Sequence, residues 1–261
     1  MDFFILVVAG SLIGTVASMI GVGGGIFMVP LLSFFYVGTT QEAVGTSLAT
    51  VVVTSVFSSI NYGRRKLIDF KLGLMLMPTV IAGAWLGAWL TQFISSHGLA
   101  LAFGVLLLYP ATMMLLGREP KEIAKLLGGE AGEQPARYPP LKTVSIGVVA
   151  GVASGFFGVG SGILMVPAMS ILLKVEMLQA VATSLFVMGP SALLGSAQHA
   201  VLGNVHAEFM LPLALGIVLG AQAGPRLALT LPRVRLRQAF GLALSYASLN
   251  MIWKGLSQLF S

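Results

Sequence analysis

Gly21-Val22-Gly23-Gly24-Gly25-Ile26-Phe27-Met28-Val29-Pro30 occurs a second time in the chain, as Gly158-Val159-Gly160-Ser161-Gly162-Ile163-Leu164-Met165-Val166-Pro167, 137 residues later. Each copy is a glycine-rich turn that runs into an apolar helix start, with a proline a few residues on. The same offset carries through the chain. Gly14 matches Gly151, Thr46-Ser47-Leu48 matches Thr183-Ser184-Leu185, and Gly83 and Gly87 match Gly220 and Gly224. Phe103-Gly104 likewise matches Phe240-Gly241, with no gap needed. A register held from first segment to last is an internal duplication, and duplicated membrane bundles are mostly transporters.

The 261 residues are 56% hydrophobic and only 9% charged, with mean hydropathy +0.93. A soluble domain carries about 25% charged residues. This chain cannot cover a water-facing surface and reads as an integral membrane protein. Its apolar runs are continuous rather than alternating, so they are helices and not barrel strands. The net charge of +6 fits the basic bias of cytoplasmic membrane loops; without aromatic–basic clusters, nucleic acid is not an expected partner. Cysteine is absent, which excludes disulfides, thiolate metal sites and cysteine nucleophiles. The start, Met1-Asp2-Phe3-Phe4, lacks a basic n-region and reads as a first membrane segment rather than a cleaved signal.

Five apolar segments fill the first half, at 3–20, 26–37, 42–62, 70–93 and 99–116. The second half repeats them at 143–157, 163–173, 177–200, 207–229 and 236–258. Between them lies a polar, proline-bearing stretch. The expected division is a first transmembrane repeat (1–116), a cytoplasmic linker (117–141) and a second transmembrane repeat (142–261). Basic residues cluster at Arg64, Arg65, Lys66 and Lys71, in and after the linker at Arg118, Lys121, Lys125, Arg137 and Lys142, at Lys174, and at Arg233, Arg235 and Arg237. Placing these in the cytoplasm puts the connections 94–98 and 201–206, which carry no Lys or Arg, on the other side. The halves are then inverted, with both termini outside.

Lys142 and Lys174 share a face, so 143–173 must leave it and return. Two arms of roughly fifteen residues reach about 22 Å each, against a hydrocarbon core of about 30 Å. The expected fold is therefore an all-α integral membrane protein with two inverted-topology repeats. Each repeat is a short helical hairpin with a glycine-rich tip at membrane depth, plus three membrane-spanning helices.

Irregular backbone at that depth must be buried in protein or line a wet cavity. Glycine lets amides approach a ligand, and a helix N-terminus offers unpaired N–H groups with partial positive charge. The candidate anion donors are thus the backbone around Gly23, Gly24, Gly25 and Ile26, and around Gly160, Ser161, Gly162 and Ile163. Equally, the glycines can serve only close helix packing. The hydroxyls of Thr46, Ser47, Thr183 and Ser184 either donate to the anion or bond back to a carbonyl one turn earlier. Gln222, matched to Trp85 among small neighbours, either faces a central cavity or packs. His199 reads as a boundary histidine. No carboxylate lies in the middle of a span, and there is no phosphate-binding loop or catalytic set. This argues against an ATP motor and an enzyme; no cofactor or metal is expected.

GVGGGIFMVPLL (21–32) and GVGSGILMVPAM (158–169), followed by AVGTSLA (43–49) and AVATSLF (180–186), resemble the sulfite exporter TauE/SafE family of bacterial membrane transporters. The resemblance covers nearly the whole chain apart from the linker. It implies passage of small anions, often sulfur-containing ones such as sulfite, sulfonates or sulfoacetate, across the bacterial cytoplasmic (inner) membrane. Ser161 replaces Gly24 and Ala182 replaces Gly45 in the second copy, so the half-sites need not be equivalent. The leading expectation is a secondary transporter for such an anion, in the export direction. A cell negative inside drives an anion outward by about 2.3 kcal/mol per charge per 100 mV, so export needs no coupling ion. A passive anion channel and a non-transporting membrane scaffold are the other readings. The expected partners are a small anionic substrate and the lipid bilayer; the oligomeric state stays open.

Overall fold

A computed structural model describes residues 2–115, 138–227 and 233–257. It is all-helical, with no strand among the described residues. The first half holds α1 (Asp2–Ile20), α2 (Gly25–Phe35), α3 (Thr40–Arg64), α4 (Phe70–Leu90, followed by a 3-10 turn at Thr91–Phe93) and α5 (Ser96–Leu115). The second holds α6 (Pro140–Phe157), α7 (Gly162–Leu172), α8 (Met177–Val201), α9 (Ala207–Leu227) and α10 (Arg233–Leu256). Most of the linker lies outside the described residues.

Local chemistry sets the helix starts. The Thr39 hydroxyl accepts from the Glu42 N–H at 3.2 Å ahead of α3, and the Asp69 carboxylate accepts from the Leu72 N–H at 2.9 Å ahead of α4. Both are side-chain caps for otherwise orphaned donors. Among the described residues, six helices, α1, α3, α4, α6, α8 and α9, are long and apolar enough to cross a membrane. α2 and α7 have eleven residues each, about 16 Å of helix. The hairpin arms are therefore unequal, unlike the matched fifteen-residue arms expected from the sequence. The reason is the position of the left-handed glycines. Gly21 (φ 81°) and Gly158 (φ 69°) stop the first arm only after 19 and 18 residues.

α3 and α8 form the centre and run antiparallel. Gly45 near the start of α3 packs on His199 near the end of α8, while Ser55 further along α3 donates to the Leu185 carbonyl near the start of α8. Around them the halves interleave. α1 packs on α9 and its counterpart α6 packs on α4; α9 also packs on α3 as α4 does on α8; α5 packs on α10. The main cross-half contacts thus come in exchanged pairs. Matched small residues bring the backbones together: a Cβ at Gly220 would lie 2.1 Å from the Ser11 carbonyl oxygen, and one at Gly83 would lie 2.8 Å from that of Val148. These glycines serve close helix approach.

Polarity is distributed as lipid demands. Phe4, Leu12, Leu74, Trp85 and Leu215 are exposed on the outside, whereas Thr46, Ser47, Thr50, Thr54, Ser55, Thr183, Ser184 and Ser191 are buried on the two central helices. Hydroxyls line the inside of the bundle and hydrocarbon covers the outside.

Candidate functional site

The two glycine tips meet. A Cβ on Gly25 would lie 2.1 Å from the Gly158 carbonyl oxygen and 2.4 Å from Val159 Cα; one on Gly162 would lie 1.8 Å from the Gly21 carbonyl oxygen. The contact is therefore backbone on backbone, and no residue but glycine fits at either place. Gly23 and Gly160 both abut Met188 and Val51, a matched pair roughly halfway along α8 and α3. Gly21 reaches on to Val181 and Ser184 of α8, and Gly158 to Val44 of α3. The tips thus pass each other slightly. Residues 21–26 and 158–163 are all buried. Beyond the tips, α2 and α7 start with N–H groups that no earlier helical turn can satisfy.

The Thr-Ser pairs hold this arrangement. Ser47 Oγ donates to the Gly158 carbonyl at 2.9 Å and Ser184 Oγ donates to the Gly21 carbonyl at 3.1 Å. Ser184 also lies 2.9 Å from the Val181 carbonyl of its own helix. The neighbouring threonines face the other way. Thr46 Oγ1 accepts from the His206 N–H and Thr183 Oγ1 from the Asp69 N–H, each at 3.0 Å. Asp69 and His206 are themselves 137 residues apart. Each Thr-Ser pair therefore clasps a tip and a helix-connecting loop of the opposite half, a role that neither sequence alternative contained.

A third exchanged pair escaped the sequence reading. Tyr62 OH donates to the Ser18 carbonyl at 2.9 Å, and His199 Nε2 donates to the Gly155 carbonyl at 3.0 Å. His199 is wholly buried in the last turn of α8. Its match to Tyr62 at the common offset was the available signal. Gln222 does not join the tips: it is exposed, and its amide donates to the Val218 carbonyl of its own helix. Trp85, its match, is half-exposed.

Ionisable groups sit at the ends of the central helices. At one end the Tyr138 hydroxyl donates to the Asp69 carboxylate; burial, then this bond and the nearby negative charge, push the phenol above its ordinary range. At the other, His206 Nε2 lies 3.2 Å from Glu42 and Nδ1 3.8 Å from Glu208. Among the described residues no cluster of three potential metal ligands occurs.

The model of the family "Sulfite exporter TauE/SafE" matches residues 6–251. The chain belongs to the TauE/SafE family. Its relatives include the "Probable membrane transporter protein YunE" of Bacillus subtilis, 35% identical over 86% of this chain and 88% of that protein. A "Probable membrane transporter protein" of Xylella fastidiosa is 28% identical over 96% of this chain and 95% of its own length. YdhB of Bacillus subtilis, with the same description, is 29% identical over 93% and 97%. No solved structure matches. The TauE/SafE family is one of membrane transporters and not of enzymes, and this member is a multi-pass membrane transporter.

Proposed function

We propose that the protein is a secondary transporter that exports a small sulfur-containing anion, such as sulfite or a sulfonate, across the bacterial inner membrane. The observation that carries this reading is the meeting of two buried glycine tips, each opening a helix N-terminus, halfway along the central antiparallel helices. Two helix N-termini converging in a buried interior favour an anion without a fixed positive charge. The sulfur chemistry comes from the family description.

The antiparallel packing of the matched helices α3 and α8 supports inversion of the repeats across the membrane. In that arrangement Arg64, Arg65, Tyr138 and Lys142 lie at the cytoplasmic end, and both termini are outside. The eleven-residue α2 and α7, about half a membrane thick, support tips that lie within the membrane rather than at a surface. Transport follows if one hairpin withdraws at a time. Releasing Ser184 from Gly21 frees the first tip, and releasing Ser47 from Gly158 frees the second. The anion is met from one side and left to the other as the halves rock about the site.

The test is flux in liposomes holding the purified protein. Saturable sulfite or sulfonate efflux, driven by an outward-directing potential and accelerated by anion on the opposite side, is the expected result. Non-saturating flux without counter-exchange would make the protein a channel. No movement of sulfite, sulfonate or thiosulfate would leave the scaffold reading.

A further inference from the structure

We infer that the anion binds off the pseudo-symmetry centre, on the second hairpin, between the hydroxyls of Ser154 and Ser161 and the first N–H groups of α7. The inference rests on the anion-transport reading above and names which half-site carries the ion.

Ser154 is 0% and Ser161 1% exposed, and neither hydroxyl makes a hydrogen bond within the protein. A buried hydroxyl left unpaired costs about 1–3 kcal/mol, so such groups are normally bonded. Nearby hydroxyls follow that rule: Ser47, Ser184 and Ser191 each reach a carbonyl. Ser161 is also the residue before α7, where a serine ordinarily accepts from a first-turn N–H. Its backbone is instead helical (φ −67°, ψ −17°) and it makes no such cap bond. The first-turn donors of α7 and the Ser161 hydroxyl are therefore both left for something else.

The first half supplies the internal control. The residues matched to Ser154 and Ser161 are Ala17 and Gly24. A Cβ on Gly24 would lie 3.2 Å from Ala17 Cβ. In the second hairpin Ser161 is right-handed (φ −67°) where Gly24 is left-handed (φ 92°), so the turn takes a different backbone course at this position. The second hairpin holds two buried, unpaired hydroxyls where the first holds a methyl and a hydrogen. α6 and α7 contain no Asp or Glu, so nothing acidic on the hairpin opposes an anion. Two hydroxyl donors beside a helix N-terminus fit a small oxyanion that presents at least two acceptor oxygens. The neighbouring Val51 and Met188 provide an apolar wall.

The experiment measures binding of sulfite, sulfate and methanesulfonate to purified protein by calorimetry, alongside thermal unfolding. The variants are Ser154→Ala, Ser161→Gly and the double, each copying the residue the first hairpin already uses. At least tenfold weaker oxyanion binding in either single variant is expected, about 1.4 kcal/mol, with anion-free thermal stability unchanged or raised. If Ser161→Gly loosens the tip, Ser154→Ala, inside α6, still decides. Wild-type affinity in the double variant overturns the serine site while leaving anion transport intact. A wild-type protein that binds none of the three probes overturns both.

Discussion

Ser47 Oγ donates to the carbonyl of Gly158, 111 residues away, at 2.9 Å. The bond ties the N-terminal third of α3 to the hairpin of the other half, and Ser184 on α8 returns it to Gly21. Ser47→Ala or Ser184→Ala leaves a buried carbonyl unpaired, at a cost of about 1–3 kcal/mol. Both variants should lower the thermal unfolding temperature of detergent-solubilised protein by comparable amounts. A drop in only one would break the equivalence of the two clasps.

Gly25→Ala and Gly162→Ala force a methyl into backbone at 2.1 and 1.8 Å. Neither contact ends in a flexible side chain, so the tips must separate. Expected are loss of transport and destabilisation of about 1–3 kcal/mol. Gly38→Ala, whose Cβ meets nothing within 4 Å, serves as the neutral comparison. Normal flux in Gly162→Ala would mean that the tips need not touch.

Met188 is fully buried and its sulfur is the atom nearest to an added Cβ at both Gly23 and Gly160. Met188→Ala removes the filler common to both tips and should cost about 2–5 kcal/mol. With room made beside the tips, bulkier sulfonates should gain on sulfite in competition assays. Unchanged unfolding and unchanged selectivity together would show that the side chain does not shape the site.

Asp69 caps α4 and accepts from Tyr138. Asp69→Ala should destabilise by about 0.5–2 kcal/mol through the lost cap alone, and more with the tyrosine unpaired. The Tyr138 phenol is raised in the folded state. Its stabilising contribution is present below the unfolded tyrosine value of about 10 and lost as pH rises through the higher folded one. Ultraviolet titration of Tyr138→Phe should therefore lack one late-ionising phenol. Loss of an ordinary phenol instead would contradict the buried pairing.

The absence of cysteine makes topology directly measurable. Arg65→Cys and Lys142→Cys should react with impermeant thiol reagents only from the cytoplasmic side, and Ser95→Cys and Glu208→Cys only from outside. Labelling of Arg65→Cys and Ser95→Cys from the same side would exclude the proposed crossing of α4.

The architecture was readable because the repeat needs no gap. Once Gly21 is laid on Gly158, the five helices of each half follow from the apolar runs, and the polar breaks mark their ends. Other features lay beyond the sequence. Hydroxyl patterning does not tell a serine that donates to the opposite half from one that donates to a ligand, since both require a buried hydroxyl near a glycine. Gln222 shows the converse: small neighbours let α9 approach α1 closely, but they do not say on which side of the contact the amide lies. Position 199 looked peripheral because it is near a helix end. It is buried because the second hairpin, entering from the opposite end of α8, lies against it.

The tips are latched by two matched hydroxyl–carbonyl bonds, one to each central helix, and the Ser184 proton is shared with the Val181 carbonyl of its own helix. On the proposed anion-transport reading, withdrawing either hairpin breaks one bond of the same kind, and the shared Ser184 proton makes the first tip the looser of the two. In that reading net direction belongs to voltage and concentration, and the two hairpins act as the arms of a turnstile. The serines on the second hairpin would set where the ion waits, not which way it leaves.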